Sequence, residues 1–299
     1  MMFSIIISVL NSEKFIKKTL DSIFMQNYLN FEVIIIDAGS KDKTNVIIDL
    51  YKGNHQNIYH EIIHNISFPN ALNYGFKIAK GEIYAFINSD DYYLNNSVFE
   101  TIQSIFKNNN SVNWIHSKGV YVDANNKFLS FYKSKDVTFN NFILEANSFI
   151  CQPTVFFRKS LYNNTNGFDE NIKCLVDLDL WTKFLFNGEK PFFLNSYFLA
   201  SYRLHNTSFS IGQKNKIIID LIYYRDNYYN ILTNINKKLF FNFYQNLRIL
   251  NYYHFYRDKN SFIHLNIKTI YNFKLFYFFV TPKKIIRLII LYFFYKLKK

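Results

Sequence analysis

Three nearly unbroken apolar runs, FSIIISVL (3–10), FEVIIID (31–37) and EIYAFIN (82–88), constrain the fold most. None alternates polar with apolar, so both faces of each strand must be covered, as in a parallel sheet held between helices. Helical spacing fills the gaps. Ser12 is placed to cap a helix whose apolar positions are Phe15, Ile16, Leu20, Ile23 and Phe24. A second helix opens at Ser67 with Pro69 in its first turn, shows Leu72, Gly75, Phe76 and Ala79 on one face, and stops at Gly81. This β-α-β-α-β order predicts right-handed crossovers and an open, mostly parallel α/β sheet, with ligands at the carboxyl ends of the strands. After Ser111 the pattern shortens to VNWIHSKGVYVD, KFLSFYK, CQPTVFFRK and KPFFLNSYFLASYRL, all strand-like, with no internal repeat.

Charge divides the chain. Residues 1–212 carry 19 basic and 19 acidic side chains, whereas residues 213–299 hold the remaining 16 basic and 3 acidic ones and so the entire net charge of +13. That shift predicts a boundary near Gly212, between a first domain (1–212) without net charge and a basic, aromatic-rich helical region (213–299). Cys151 and Cys174 are the only cysteines, which suits a reducing compartment without a disulfide framework. The start, MMFSIIISVLNSEKF, lacks a basic flank and breaks at Asn11, so it reads as a cytoplasmic start rather than a signal peptide.

Acidic residues stand where the strands should stop. Asp37, in DAGSKDKT, precedes a glycine turn and a helix start, a position that suits hydrogen bonding to a base or ribose and equally suits a turn. Asp90 and Asp91 follow the third apolar run. Two adjacent carboxylates suit a hard divalent cation that also holds phosphate oxygens, and Ser89-Asp90-Asp91 also suits the cap of a helix beginning near Asn95. Together, at strand ends, they favour a nucleotide-diphosphate site. No G-x-x-x-x-G-K-[ST] loop, G-x-G-x-x-G turn or zinc-ligand spacing is present, which removes the main signals of P-loop, dinucleotide and zinc chemistry.

Five stretches in order resemble the inverting glycosyltransferases of family 2, with their GT-A fold, over roughly residues 3–210. They are SIIISVLNSEKFIKKTLDSIFMQ, IIIDAGSKDKT, ALNYGFKIAKGEIYAFINSDD, CQPTVFFRKSLYNNTNGFDENIKCLVDLDLW and ASYRLHNTSFS. The resemblance implies that Asp37 binds the base of a nucleotide sugar. It implies that Asp90 and Asp91 serve the ribose and the metal, Mn²⁺ or Mg²⁺, with Asp91 the direct ligand. His205 falls where many members contact metal or diphosphate, Arg203 beside it would neutralise phosphate, and Asp177 falls at the general base. Asn88 stands where relatives often carry Asp, and Asn65 and Asn70 where they often carry acidic residues, which leaves the choice of base open.

Asp177 also has an account of its own. Inversion needs one carboxylate to take the proton of an attacking hydroxyl, and the leaving diphosphate needs no acid if cations stabilise it. On a helix Asp179 points some 200° around from Asp177, so only one of the two faces the site. Leu178, Trp181, Phe184 and Leu185 form the helix's apolar face and Gly188 ends it.

Toward its end, KKIIRLIILYFFYKLKK (283–299) has basic ends around a short apolar stretch broken by Arg287. It is too short to span a bilayer and suits a helix lying in an anionic membrane interface; packing on the catalytic domain is the other reading. The expectation is a cytoplasmic transferase, peripheral on the inner face of the membrane. Its partners would be a nucleotide-sugar donor, a lipid-linked or cell-surface saccharide acceptor and an anionic surface, and not nucleic acid. The alternatives are a sugar nucleotidyltransferase, which lacks its Gly- and Arg-rich phosphate loop here, and a non-catalytic membrane- or nucleic-acid-binding protein, supported only by the basic tail.

Overall fold

Isoleucine and valine dominate the first two runs, and stiff β-branched side chains pack well on a pleated surface covered on both sides. In the computed structural model, which describes residues 1–144, 149–206 and 213–256, these runs become β1 (Phe3–Val9) and β2 (Phe31–Asp37). An edge strand, β3 (Ile58–Ile62), joins β2, and β4 (Ile83–Phe86) lies on the other side of β1. All three pairings are parallel. Their carboxyl ends therefore share one edge, with Asp37 and Asn88 two strands apart, on the order of 10 Å.

Helices α1 (Ile16–Phe24), α2 (Thr44–Asn54) and α3 (Phe68–Ile78) make the crossovers. Helix α3 opens at Ser67 with Pro69 in its first turn, as its sequence predicts, but ends at Ile78 rather than Gly81. Gly81 serves β1 instead: its N–H donates to Ser4 Oγ at 2.8 Å, and a Cβ there would lie 2.6 Å from that oxygen. Ser12 does not cap α1 with its side chain, a correction taken up below.

Beyond β4 the sheet becomes mixed. The full order is β3-β2-β1-β4-β8-β6-β9-β5, with β7 (Phe128–Phe131) added to β6 (Trp114–Val122). β8 (Phe156–Arg158) runs antiparallel to both β4 and β6, and β9 (Phe192–Arg203) runs parallel to β6. β9 also pairs with the two-residue β5 (Tyr92–Tyr93), Tyr92 opposite Ser201. That last pairing decides the site, because it returns Arg203 and His205 to the loop that carries Asp90 and Asp91. Phe3, Phe31, Phe99 and Phe156 pack ring on ring beneath it, with Phe99 from α4 (Val98–Asn108) stacked 5.3 Å from Phe3.

The chain divides into two compact units, residues 1–142 with 148–217, and residues 143–147 with 218–299. In the second, two helices (Lys214–Ile231 and Ile235–Tyr256) bury Leu221, Tyr224, Tyr228, Phe241 and Tyr244, and Arg225 donates to Asn246 Oδ1 at 2.8 Å. The expected boundary at Gly212 and the segment 283–299 lie outside the described residues. Among those described, no helix is long and apolar enough to cross a membrane.

Candidate active site

One serine ties three strand ends together. After β1, Ser12 N–H donates to Thr44 Oγ1 at 2.7 Å, and Ser12 Oγ meets Ser89 Oγ at 2.7 Å. Asn11, in the left-handed region at φ 51°, donates its N–H to Ser40 Oγ and accepts from Lys41 N–H, each at 2.8 Å. Ser12 is thus the junction between the turns after β2 and β4. The start of α1 is closed by its backbone carbonyl, which accepts from Phe15 and Ile16 N–H.

Asp37 is fully buried. Its Oδ1 accepts from Gly39 N–H, Ser40 N–H and Ser40 Oγ at 2.8–2.9 Å, so the turn reading of this residue accounts for one oxygen. Gly39 must be glycine: its φ is +100°, and a Cβ would fall 2.6 Å from His64 Nδ1. Oδ2 is buried and, among the described residues, has no hydrogen-bond partner. A buried carboxylate oxygen without a donor is costly, so this atom asks for a donor from a ligand. Asn65 sits at φ 61°, a conformation asparagine tolerates, and Asn70 presents a second buried, unpartnered oxygen.

The two carboxylates after β4 have opposite fates. Asp91 is buried: its Oδ1 accepts from Arg203 N–H at 2.8 Å, and Asn88 Nδ2 lies 3.3 Å from Oδ2. Burial, reinforced by the charge of Asp90, pushes its carboxyl well above the usual carboxylate range, against the pull of Arg203 and Asn88. A buried carboxyl of this kind ionises when a cation is placed beside it. Asp90 is the more open of the two, and its Oδ2 lies 2.9 Å from His205 Nε2. Thr19 Oγ1, from α1, donates to the carbonyls of Ser89 and Asp91 and fixes the loop between them.

The guanidinium of Arg203 donates to the carbonyls of Asp90, Asp123 and Ala124 and to Asn126 Oδ1, at 2.6–3.2 Å. Its faces lie 4.9 Å from the ring centre of Phe15 and 5.3 Å from that of Tyr92. These contacts engage the fork with protein groups and position the loop.

Asp177 lies in the first turn of α5 (Val176–Phe186), half-buried, its Oδ1 accepting from Leu178 N–H at 2.8 Å. Asp179 is buried and pairs with Lys183 at 2.8 Å, which leaves Asp177 as the carboxylate turned outward, as the helical spacing requires. Tyr132, which nothing in the sequence singles out, donates its N–H to the Gly119 carbonyl at 2.9 Å. Burial chiefly raises its hydroxyl well above the ordinary value, with the charges of Cys151, Tyr121, Asp177 and Tyr202 adding, and Cys151 in turn feels Asp91. Gly119 makes room there, since a Cβ would lie 2.3 Å from Cys151 Sγ.

Among the described residues no three His, Cys, Asp or Glu side chains converge as metal ligands. The pair that does converge, Asp90 with His205, offers one carboxylate and one imidazole. A carboxylate and an imidazole are donors that fit a divalent cation such as Mn²⁺ or Mg²⁺.

Residues 4–165 match the family model described as glycosyl transferase family 2. An uncharacterised glycosyltransferase of Rickettsia typhi is 33% identical over 187 residues, which cover 61% of this chain and 58% of that protein. The chain thus spans somewhat over half of that relative. Among solved structures, the Staphylococcus aureus poly(ribitol-phosphate) β-N-acetylglucosaminyltransferase TarS, in complex with UDP-GlcNAc, superposes with a TM-score of 0.67 at 22% identity, covering 82% of this chain and 72% of that one. A mannosyltransferase from Pyrobaculum calidifontis, in complex with GDP-Man and Mn²⁺, gives a TM-score of 0.60 at 15% identity, covering 84% and 71%. At these identities the two structures speak for the GT-A-like fold.

Proposed function

This chain belongs to glycosyl transferase family 2, and from that premise we propose that it moves a sugar, with inversion, from a nucleoside-diphosphate sugar to a hydroxyl of a saccharide acceptor. The observation that carries the reading is the meeting of Asp90 and His205 on the same sheet edge as the unpartnered Oδ2 of Asp37. Asp37 would accept hydrogen bonds from the base of the donor. Asp90 and His205, with Asp91 beside them, would hold a divalent cation, Mn²⁺ or Mg²⁺, which when bound neutralises the charge of the departing diphosphate. Asp177 would take the proton of the acceptor hydroxyl as its oxygen attacks the anomeric carbon and the bond to the diphosphate breaks on the opposite face.

The complexes of TarS with UDP-GlcNAc and of the mannosyltransferase with GDP-Man support the donor class, and leave the choice of nucleotide open. The basic excess after residue 212 supports an acceptor presented at an anionic membrane, lipid-linked or on a cell-surface polysaccharide, with the catalytic unit on residues 1–212 and a cytoplasmic, peripheral placement. A screen of nucleotide sugars with product analysis tests the reading. Transfer releases a nucleoside diphosphate, whereas a sugar nucleotidyltransferase releases pyrophosphate, and pyrophosphate as product would refute it.

A further inference from the structure

Strand β7 has no covered face. All four of its residues are open, and Phe128, Leu129 and Phe131 are 50%, 48% and 62% exposed. The rings form a group: Phe128 and Phe131 lie 5.1 Å apart, and Phe131 lies 5.1 Å from Phe198 of β9, with Tyr197 exposed beside it. Apolar surface of this kind, rimmed by polar groups, marks an interaction site.

The surrounding charge indicates what covers it. Residues 118–136 hold four lysines, Lys118, Lys127, Lys133 and Lys135, against Asp123 and Asp136. Lys118 Nζ sits 5.5 Å from the Phe198 ring centre, and the other three are exposed. Both acids are already engaged. Asp123 Oδ1 accepts from Asn125 and Lys127 N–H and closes the turn, and Asp136 pairs with Lys190 at 3.0 Å. A second copy of the chain would set lysines against lysines, and charged residues along an edge strand protect it from such pairing. An anionic lipid surface meets both requirements, taking the rings into its interface and the lysines among its headgroups.

We propose that the β6–β7 hairpin is a membrane-docking surface, which seats Phe128, Leu129 and Phe131 in the interface of an anionic bilayer. The proposal deepens the membrane reading above and rests on it. It also couples that surface to the site. Arg203 grips the hairpin turn at Asp123, Ala124 and Asn126 and the strand-end loop at the Asp90 carbonyl, so a bilayer under the hairpin holds the crevice in a fixed relation to lipid.

The test uses the full chain with Phe131→Trp, compared with wild type to subtract the buried Trp114 and Trp181. Vesicles of phosphatidylcholine with phosphatidylglycerol should shift the added emission to shorter wavelength and expose it to quenching by brominated lipid. Vesicles of phosphatidylcholine alone should do so far less. Phe128→Ser with Phe131→Ser, or Lys127→Glu with Lys133→Glu, should weaken vesicle co-sedimentation on the order of tenfold or more while nucleotide binding stays unchanged. If vesicles bind but the added emission does not move, the hairpin is not the contact, and the membrane reading survives through another segment. If no vesicle binds, both fall. A shift caused by raising protein concentration without lipid, or by free polysaccharide, would assign the surface to a second copy or to a saccharide and overturn the proposal.

Discussion

Arg203 donates its backbone N–H to Asp91 Oδ1 at 2.8 Å, while its side chain holds the carbonyl of Asp90, 113 residues away in sequence. One residue at the end of β9 therefore sorts two adjacent carboxylates. It draws Asp91 inward as a structural acceptor and leaves the Asp90 side chain turned toward His205. A chain met as sequence shows only a pair; the partner on β9 breaks its symmetry.

The first prediction follows from that sorting. Asp90→Asn and His205→Ala should keep the melting temperature near wild type and lose the divalent-cation dependence of donor binding. Asp91→Ala should instead lower stability by about 1–3 kcal/mol, because the Arg203 N–H is left buried without an acceptor. Calorimetric nucleotide titrations with and without chelator, alongside denaturant unfolding, separate the two. Full cation-dependent binding in Asp90→Asn would refute the assignment.

A second prediction divides binding from chemistry. Asp177→Asn should retain donor affinity and lose on the order of 10²–10⁴ in rate, the contribution of a positioned general base. Asp37→Ala should weaken donor binding first, since its Oδ2 is the atom awaiting a donor. Equal losses of donor affinity in both variants would remove the distinction. Asp179→Asn belongs to neither class, and its cost should appear in unfolding, through the pair with Lys183.

What sequence reasoning reached and missed has physical causes. β1, β2 and β4 were legible because both their faces are buried, which forces continuous apolar runs. β3 was not, because it is an edge strand whose residues Tyr59 and Ile62 stay exposed, so IYHEI shows neither a clean alternation nor a run. Ser12 looked like a cap because local spacing says so; its partner Ser89 is 77 residues on. The hold of Arg203 on two loops was not legible, because its targets are mostly main-chain carbonyls, which any sequence presents. Tyr132 carried no signal, since its half-buried place depends on the pairing of β7 with β6.

The third prediction concerns the basic end of the chain. Removing residues 283–299 deletes lysines and one arginine that each add roughly 1 kcal/mol of attraction near an anionic surface. Vesicle binding should fall and salt sensitivity weaken, with nucleotide-sugar binding retained because the residues of the site end at His205. Salt alone does not distinguish lipid from nucleic acid. Competition does: RNA or DNA should fail to displace the chain from anionic vesicles at physiological ionic strength, and displacement would end the membrane reading of this segment.

The last prediction is a pH dependence of stability, set by His116. It lies buried on β6, stacked 4.7 Å from the Phe193 ring, and neither ring nitrogen has a hydrogen-bond partner among the described residues. Burial holds its pKa down to about 4, opposed only by the charge of Asp136. An unfolded histidine titrates near ~6.5. Below that pH the unfolded chain takes up a proton that the folded chain refuses until about pH 4. Unfolding is therefore favoured as pH falls through this window, and the loss approaches about 3 kcal/mol once the lower limit is reached. His60, also held down by burial, acts in the same direction. His116→Leu should cost little at neutral pH, because it removes an unsatisfied polar group, and should flatten the acid side of the profile. Urea midpoints at about pH 7 and about pH 5 test this. Equal falls in wild type and variant would show that His116 is not the group responsible.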